Sequence, residues 1–365
     1  MSIPAQGKAT AIGSFPHSRA EDALRIIMEY TPQIPVWPQL PVHPEEGMTR
    51  QYNEGMPGLT SEGGKTFFDT TKSSFDSELM NFYEDYLQTL EMKEMPLEHR
   101  FGISPKYGRG FHAFLNRLRK NDCSPAAIKG QITGPITLAT TITDQDGRSV
   151  YYDQRLREVV VKTLALKAKW QIHQFRKFGI PVIIFIDEPS LSAYGSAAFL
   201  GISAEDVKND LQEIIEQIHA EGAIAGIHCC ENTDWGLLIR TDIDILNFDA
   251  YGFFDRVVLY AEDLQDFISR GKVLAWGLIP TGSPEDIRKE NAASLIERWR
   301  GYIKELVGLG FERERLVSQS LLTPSCGTGS LTTHLSQQVM KLLQEVSEVL
   351  QEDILRGIFG PPEGE

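Results

Sequence analysis

Residues 223–231 read Ala223-Ile224-Ala225-Gly226-Ile227-His228-Cys229-Cys230-Glu231. The uncharged apolar start is typical of a buried strand, and the polar residues that follow are typical of a turn and a helix cap. His228 and Cys230 are two residues apart, so an extended strand places both side chains on one face, where an imidazole and a thiolate can share a metal ion. The alternative is a core strand that uses its cysteines as small hydrophobic residues and hydrogen-bonds its histidine.

The composition is that of an ordinary soluble globular protein, with 365 residues, 41% hydrophobic and 24% charged. A net charge of −14 without a basic stripe argues against a nucleic-acid partner. Residues 1–8 lack the apolar region of a signal peptide, and no stretch approaches the roughly 18 to 20 apolar residues of a membrane span, so we expect a cytoplasmic protein. The few cysteines include an adjacent pair, which favours free thiols or metal ligands over disulfides.

Short apolar runs alternate with longer amphipathic segments, which is the pattern of βα units around a parallel sheet. The runs predict eight strands, at residues 9–15, 36–40, 127–136, 182–186, 223–229, 243–248, 273–278 and 316–321. They predict an α/β fold in which residues 1–365 form a single (β/α)8 TIM barrel. The alternative, a doubly wound open sheet, would need a glycine-rich phosphate turn after the first strand, and Gly13-Ser14-Phe15-Pro16 is not that motif.

The connection between the second and third predicted strands is far longer than a βα loop requires. Residues 41–124 therefore predict a long helical insertion, with helices at 74–91 and 111–119, that caps the barrel mouth.

Residues suited to chemistry collect at the predicted C-terminal strand ends, where barrel enzymes place their active sites. His228 and Cys230 end the fifth strand and Cys326 follows the eighth, so all three are predicted to face one mouth. One imidazole and two thiolates suit zinc and leave one position for a carboxylate, water or substrate. Asp249, after the sixth strand, is a candidate for that position, and a surface or capping role is its alternative.

Two adjacent acids, Asp187 and Glu188, follow the fully apolar run at residues 182–186. Burying an unpaired carboxylate is costly, so at least one of them is expected to meet a cation or hydrogen-bond donors in the pocket. The alternative is an ion pair with a lysine or arginine of the barrel.

Five segments resemble, in order and over nearly the whole chain, the catalytic barrel of the cobalamin-independent methionine synthase superfamily. They are Ile12-Gly13-Ser14-Phe15-Pro16, Thr133-Gly134-Pro135-Ile136-Thr137, Ile186-Asp187-Glu188-Pro189-Ser190-Leu191, His228-x-Cys230 and Pro324-Ser325-Cys326-Gly327. The chain is most similar to the short, core-type methionine synthases and the corrinoid-linked methyltransferases. The same barrel also resembles uroporphyrinogen decarboxylase.

The resemblance implies a zinc-dependent methyltransferase that converts homocysteine to methionine. It implies zinc held by His228, Cys230 and Cys326, with Asp249 at the position of the family's glutamate ligand and one methylene shorter. Substrate contacts follow from the same resemblance. The catalytic candidate Asp187 would bind the amino group of homocysteine, Ile12, Gly13 and Ser14 would bind its carboxylate end, and Glu54 would be a further contact.

The resemblance also implies a methyl-corrinoid as the methyl donor, carried by a corrinoid protein, rather than methyltetrahydrofolate. Folate-using relatives carry an additional N-terminal half, and they place a histidine before a Ser-Pro where this chain has Gly282. Other small thiols, such as coenzyme M, also suit the chemistry. Two further functions stay open: a metal-free barrel similar to uroporphyrinogen decarboxylase, and a non-catalytic partner that handles zinc or a corrinoid.

Overall fold

Parallel strands form the centre of the fold in the computed structural model, which describes residues 5–120 and 123–358. Six strands pair in sequence order and curl into a half-barrel. They are β3 (Ile128–Thr133), β4 (Val182–Asp187), β5 (Ile224–Cys229), β6 (Ile245–Phe248), β7 (Val273–Ile279) and β8 (Ser320–Pro324). All of their residues are buried, as expected for a parallel sheet covered on both faces. A separate antiparallel hairpin consists of β1 (Leu59–Glu62) and β2 (Lys65–Phe68).

Helices connect the strands and cover the sheet. Within the described ranges they are α1 (Ala20–Tyr30), α2 (Phe75–Leu90), α3 (Arg109–Leu118), α4 (Pro135–Thr141), α5 (Gln154–Phe175), α6 (Ala204–Ala220), α7 (Trp235–Ile239), α8 (Ala250–Val257), α9 (Ala261–Ser269), α10 (Pro284–Lys289), α11 (Ala292–Gly308), α12 (Arg313–Ser318) and α13 (Thr333–Leu355). None of these helices combines the length and the hydrophobicity needed to cross a membrane.

The structure confirms the α/β class but shows only part of the predicted eight-stranded barrel. The first two predicted strands, residues 9–15 and 36–40, are extended segments held by isolated bridges instead of regular ladders. Ala9 bridges to β8 and Val36 bridges to β3. A third bridge, from Ser14 to Gln39, joins the two segments to each other. The physical reason in the second segment is its prolines at 35, 38 and 41, which have no N–H to donate to a ladder.

Two predicted strand boundaries were wrong. The run at 316–321 begins on α12, and β8 starts only at Ser320, because Leu316 and Val317 bury their side chains from a short helix. The run at 127–136 ends as a strand at Thr133, since Pro135 is the first residue of α4 and proline is favoured at that position.

Side chains alternate between two sides of the curled sheet. On β4, Ile184 and Ile186 belong to the large core shared with the helices, whereas Ile183 and Phe185 belong to a smaller separate cluster. That cluster also contains Ile224, Ile245, Val273, Ala275 and Leu321 from the other strands, which places it on the concave side. Gly226 makes room for Phe185, because a β-carbon there would lie 2.4 Å from the Phe185 ring. The concave side is therefore an apolar floor.

The insertion packs along α5. The indole N–H of Trp170 donates to the carbonyl of Pro96 at 3.0 Å, and the ammonium of Lys167 donates to the carbonyl of Gly102 at 2.7 Å. The backbone N–H of Met95 donates to Nδ1 of His173 at 2.9 Å. Because the insertion covers its outer side, α5 is buried on nearly every side. The start of the insertion instead reaches the mouth of the half-barrel, where Pro41, Glu46 and Met48 line a cavity.

Candidate metal centre and substrate cavity

The concave side of the sheet becomes polar at the C-terminal strand ends. In the inward-facing positions above the apolar floor lie Gln131, Asp187, His228, Asn247 and Thr323. These buried polar groups share one end of the half-barrel because all six strands run in parallel. The sheet therefore concentrates donors and acceptors where the loops meet.

His228, Cys230 and Cys326 form a compact cluster at this end. One ligand atom from each residue lies within 4.8 Å of the other two. A tetrahedral zinc ion with bonds of about 2.0 to 2.3 Å separates its ligand atoms by roughly 3.5 Å, so the cluster needs little closure to hold one. His228 is buried and both cysteines are half-buried. Cys229 lies apart from the cluster, buried in the hydrophobic core on the other side of the strand.

A buried amide fixes the orientation of the His228 ring. Asn247 donates from Nδ2 to the carbonyl of Ala275 and to the hydroxyl of Thr323, both at 2.8 Å. Its Oδ1 must therefore face His228, whose Nδ1 donates to it at 2.5 Å. In the neutral ring this leaves Nε2 unprotonated, buried and directed at the sulfur of Cys230. An imidazole nitrogen that faces two thiols fits a metal ligand.

The two thiols of the cluster are not equivalent. A hydrogen bond with Cys230 lowers the pKa of Cys326, whereas that contact and burial raise the pKa of Cys230. The pair therefore favours a negative charge on the sulfur of Cys326. Thiolate character is what a soft divalent cation requires of a sulfur ligand.

Asp187 presents a carboxylate oxygen without a donor. It ends β4 with only 4% of its surface exposed, and its Oδ1 has no hydrogen-bond partner among the described residues. Burial raises its pKa to about 6, although the charges of His228 and Lys129 oppose that rise. A buried acceptor of this kind is suited to a cationic group of a ligand.

Glu188 is held differently, although it is the next residue. It accepts from the N–H groups of Ile136 and Thr137 at 2.8 and 2.9 Å, and from the Thr137 hydroxyl at 2.6 Å. These donors form the first turn of α4, which favours an anion. A β-carbon at Gly134 would lie 2.1 Å from the Glu188 carboxyl carbon, so only glycine fits there. Glu188 therefore anchors α4, and Asp187 is the acid that faces the cavity.

The turn at residues 12–14 supplies hydrogen-bond donors. The backbone N–H groups of Ile12, Gly13 and Ser14 have no acceptor within the described residues. Gly13 has φ of +154°, and a β-carbon there would lie 2.9 Å from Oε1 of Gln39. Ile12 and Ser14 line the same cavity as Asp187 and the three-residue cluster. Neighbouring free amides of this kind suit an anionic group.

These groups surround one cavity of about 270 Å³, which is near the small end of the range for small-molecule sites. Its polar and thiol-bearing lining consists of Ser14, Gln39, Glu46, Asp187, His228, Cys230, Cys326 and Ser330. Neither lysine nor arginine occurs in the lining formed by the described residues.

Two candidate residues lie outside this arrangement. Asp249 caps α8, accepting from the N–H of Gly252 at 2.8 Å, and it is not part of the three-residue cluster. It is close enough for the charge of His228 to affect its pKa, which burial raises. Glu54 accepts from the N–H of Ser104 at 3.0 Å and lines a separate cleft of the insertion with His99 and His112. The roles predicted for both residues stay predictions.

Sequence reasoning missed several residues around the cavity. Glu46 lines it, with one carboxylate oxygen accepting from the N–H of Leu40 at 3.1 Å and the other from the N–H of Arg109 at 2.9 Å. Gln39 lines it and donates from Nε2 to Oε1 of Gln51 at 2.7 Å. Asn247 was visible as a polar residue within an apolar run, which was an unused signal.

The fold and the three-residue cluster together define a curled α/β half-barrel with a candidate metal centre at its mouth. No family model matches the chain, and no curated protein matches it by sequence.

Solved structures do share the fold. One is a B12-independent methionine synthase from Shewanella sp. W3-18-1 in complex with selenomethionine, with 17% identity and a TM-score of 0.59 over 96% of this chain and 100% of that chain. Another is a putative vitamin-B12 independent methionine synthase from Listeria monocytogenes, with 16% identity and a TM-score of 0.56 over 97% of this chain and 99% of that chain. The fold therefore agrees with the resemblance seen in the sequence, and the site must carry the functional argument.

Proposed function

We propose that this protein is a zinc-dependent methyltransferase whose methyl acceptor is a small thiol that also carries an amino and a carboxylate group, with homocysteine as the best fit. The observation that carries the proposal is the cluster of His228, Cys230 and Cys326 in the same cavity as the unpartnered Asp187. When zinc is bound, it supplies a Lewis acid that lowers the pKa of a substrate thiol, so that a thiolate nucleophile exists at neutral pH.

The chain's own residues would bind and orient the acceptor. Asp187 would accept from the substrate ammonium, and the free N–H groups of the turn at residues 12–14 would donate to the carboxylate. With both ends of a zwitterion held, the thiol is directed toward the sulfur and nitrogen atoms of the cluster. Such positioning lowers the barrier because the reacting atoms are already oriented.

We propose a methyl-corrinoid, delivered by a corrinoid protein, as the donor. Transfer from methyltetrahydrofolate leaves an amine that must be protonated, so a general acid is needed near the leaving nitrogen. Gly282, in the loop after β7, has no side chain to provide one, and a β-carbon there would meet nothing within 4 Å. A corrinoid leaving group takes no proton.

The cavity disfavours the metal-free alternative. A decarboxylase acting on a large anionic ring would need cationic side chains at the mouth, whereas this cavity presents carboxylates and thiols and measures only about 270 Å³. The non-catalytic alternative retains the metal centre and differs only in turnover.

Metal analysis followed by a paired transfer assay tests the proposal. We expect one zinc per chain, and methyl transfer to homocysteine from methylcobalamin or a methylated corrinoid protein but not from methyltetrahydrofolate. A protein with neither zinc nor affinity for it would reject the metal centre. Zinc binding without methyl transfer from any donor would favour the non-catalytic alternative, and turnover with methyltetrahydrofolate alone would reject the proposed donor.

A further inference from the structure

A buried lysine lies beneath the cavity, and the function proposed above gives it no contact with the substrate, although its charge helps to keep Asp187 ionised. Lys129, on β3, is fully buried and faces the concave side of the sheet. Its Nζ donates to the carbonyl oxygen of Ile12 at 2.6 Å and lies 4.4 Å from the centre of the Phe185 ring. Lys129 forms no ion pair within 4.0 Å among the described residues, and the charge that acts on it is that of Asp187. Burial lowers its pKa to about 8, so the ammonium form still predominates at neutral pH.

The single acceptor of Lys129 belongs to the peptide unit that reaches the cavity. The carbonyl of Ile12 and the N–H of Gly13 are two ends of one peptide group, and that N–H is one of the free donors of the turn. A cation bonded to the carbonyl draws electron density from the peptide, so its N–H becomes a stronger donor. The charge of Lys129 thereby reaches the cavity although its side chain does not.

The same hydrogen bond replaces a strand pairing. Residues 9–15 are held to their neighbours by isolated bridges at Ala9 and Ser14, and Ile12 lies between the two. Lys129 is the group that ties the Ile12 carbonyl to β3. Without it, the turn would lose its anchor on the side facing the barrel interior.

We propose, on the basis of the function proposed above, that Lys129 is a positioning residue that strengthens and orients the carboxylate-binding end of the cavity through the peptide between Ile12 and Gly13. It contacts no reacting atom. Its effect should therefore be larger for thiols that carry a carboxylate than for thiols that lack one.

Calorimetric titration of the zinc-loaded protein with a matched series of thiols tests this role. The series is homocysteine, 4-mercaptobutanoate without the amino group, 3-aminopropanethiol without the carboxylate, and propanethiol without either. In Lys129→Met we expect the affinity for the first two thiols to fall by up to about fivefold, because loss of the polarisation weakens a charge-assisted hydrogen bond by roughly 10 to 30%. Affinity for propanethiol should not change, and 3-aminopropanethiol should lose less affinity than homocysteine, because its only link to Lys129 is the pKa of Asp187.

The chain offers a matched control in Lys167. It is also a fully buried lysine that donates to a backbone carbonyl, and burial lowers its pKa to about 8, but it lies on α5 and faces the insertion. Lys167→Met should leave the affinity for all four thiols unchanged. Lys129→Gln keeps a neutral donor, so it should weaken homocysteine binding less than Lys129→Met does. It also keeps the test usable if Lys129→Met does not fold.

The outcomes separate the two proposals. Wild-type protein that binds none of the four thiols would reject the proposed function, and the role of Lys129 with it. Wild-type binding of homocysteine that is unchanged in Lys129→Met would reject the role of Lys129 alone. An equal loss for all four thiols would also overturn it, because a general structural defect does not distinguish a carboxylate from a neutral end.

Discussion

Replacing Asn247 by leucine should weaken metal binding without touching a metal ligand. Asn247 is fully buried, accepts from His228 at 2.5 Å, and donates to Ala275 and Thr323 at 2.8 Å. Leucine has nearly the same volume but makes none of these three hydrogen bonds. The His228 ring would then lose the contact that directs Nε2 toward Cys230 and Cys326.

The size of the effect follows from those contacts. Loss of a group that orients a histidine ligand typically lowers metal affinity by about 10- to 100-fold, or roughly 1.4 to 2.7 kcal/mol. The three partners that lose a hydrogen bond are buried, and each costs about 1 to 3 kcal/mol of stability where it finds no other partner. With three such partners, we expect a loss of at least about 3 kcal/mol in the free energy of unfolding as a separate consequence.

Competition with a calibrated zinc chelator would measure the affinity, and denaturant unfolding would measure the stability. Gln171 provides the control, since it is an equally buried amide that accepts from Trp37 at 2.8 Å and donates to Gln131 at 2.9 Å, away from the metal centre. Gln171→Leu should be destabilised to a similar extent with zinc affinity unchanged. Equal zinc affinity in Asn247→Leu and the wild type would refute this reasoning.

Three further predictions concern the cavity. Cys326→Ala should abolish stoichiometric zinc and methyl transfer while circular dichroism shows the fold retained, because the residue lies at the rim and not in the core. Asp187→Asn should lower the affinity for homocysteine by about 10- to 100-fold and leave the affinity for propanethiol unchanged. Glu188→Gln should leave both affinities unchanged. An equal loss of affinity for both thiols in Asp187→Asn would contradict this. Burial lowers the pKa of Lys129 from 10.5 to about 8, so between these two pH values the folded protein binds fewer protons than the unfolded chain. The free energy of unfolding should therefore rise as the pH is raised from about 8 to about 10.5. Lys129→Met should remove that rise, and an unchanged pH profile of stability in the variant would contradict it.

The local sequence was enough to predict that His228, Cys230 and Cys326 lie together. The two-residue repeat of a strand put His228 and Cys230 on one side, and the parallel order of the strands put Cys326 at the same end. These inferences depend only on backbone geometry, which neighbouring residues fix. Sequence also predicted that one of two adjacent acids would meet a cation or donors in the pocket; Glu188 instead meets its donors at α4, and the role of Asp187 in the cavity stays a prediction.

Long-range packing decided the rest. Nothing in the local sequence distinguishes Asp187 from Glu188, because the choice depends on which side of β4 meets α4. The same holds for Glu54 and Glu46, which lie in one insertion but face different cavities. Lys129 would pass for an exposed lysine until β3 is placed under residues 9–15. Its partner, Ile12, is 117 positions away in the chain, and only the folded sheet brings its carbonyl within 2.6 Å of the ammonium.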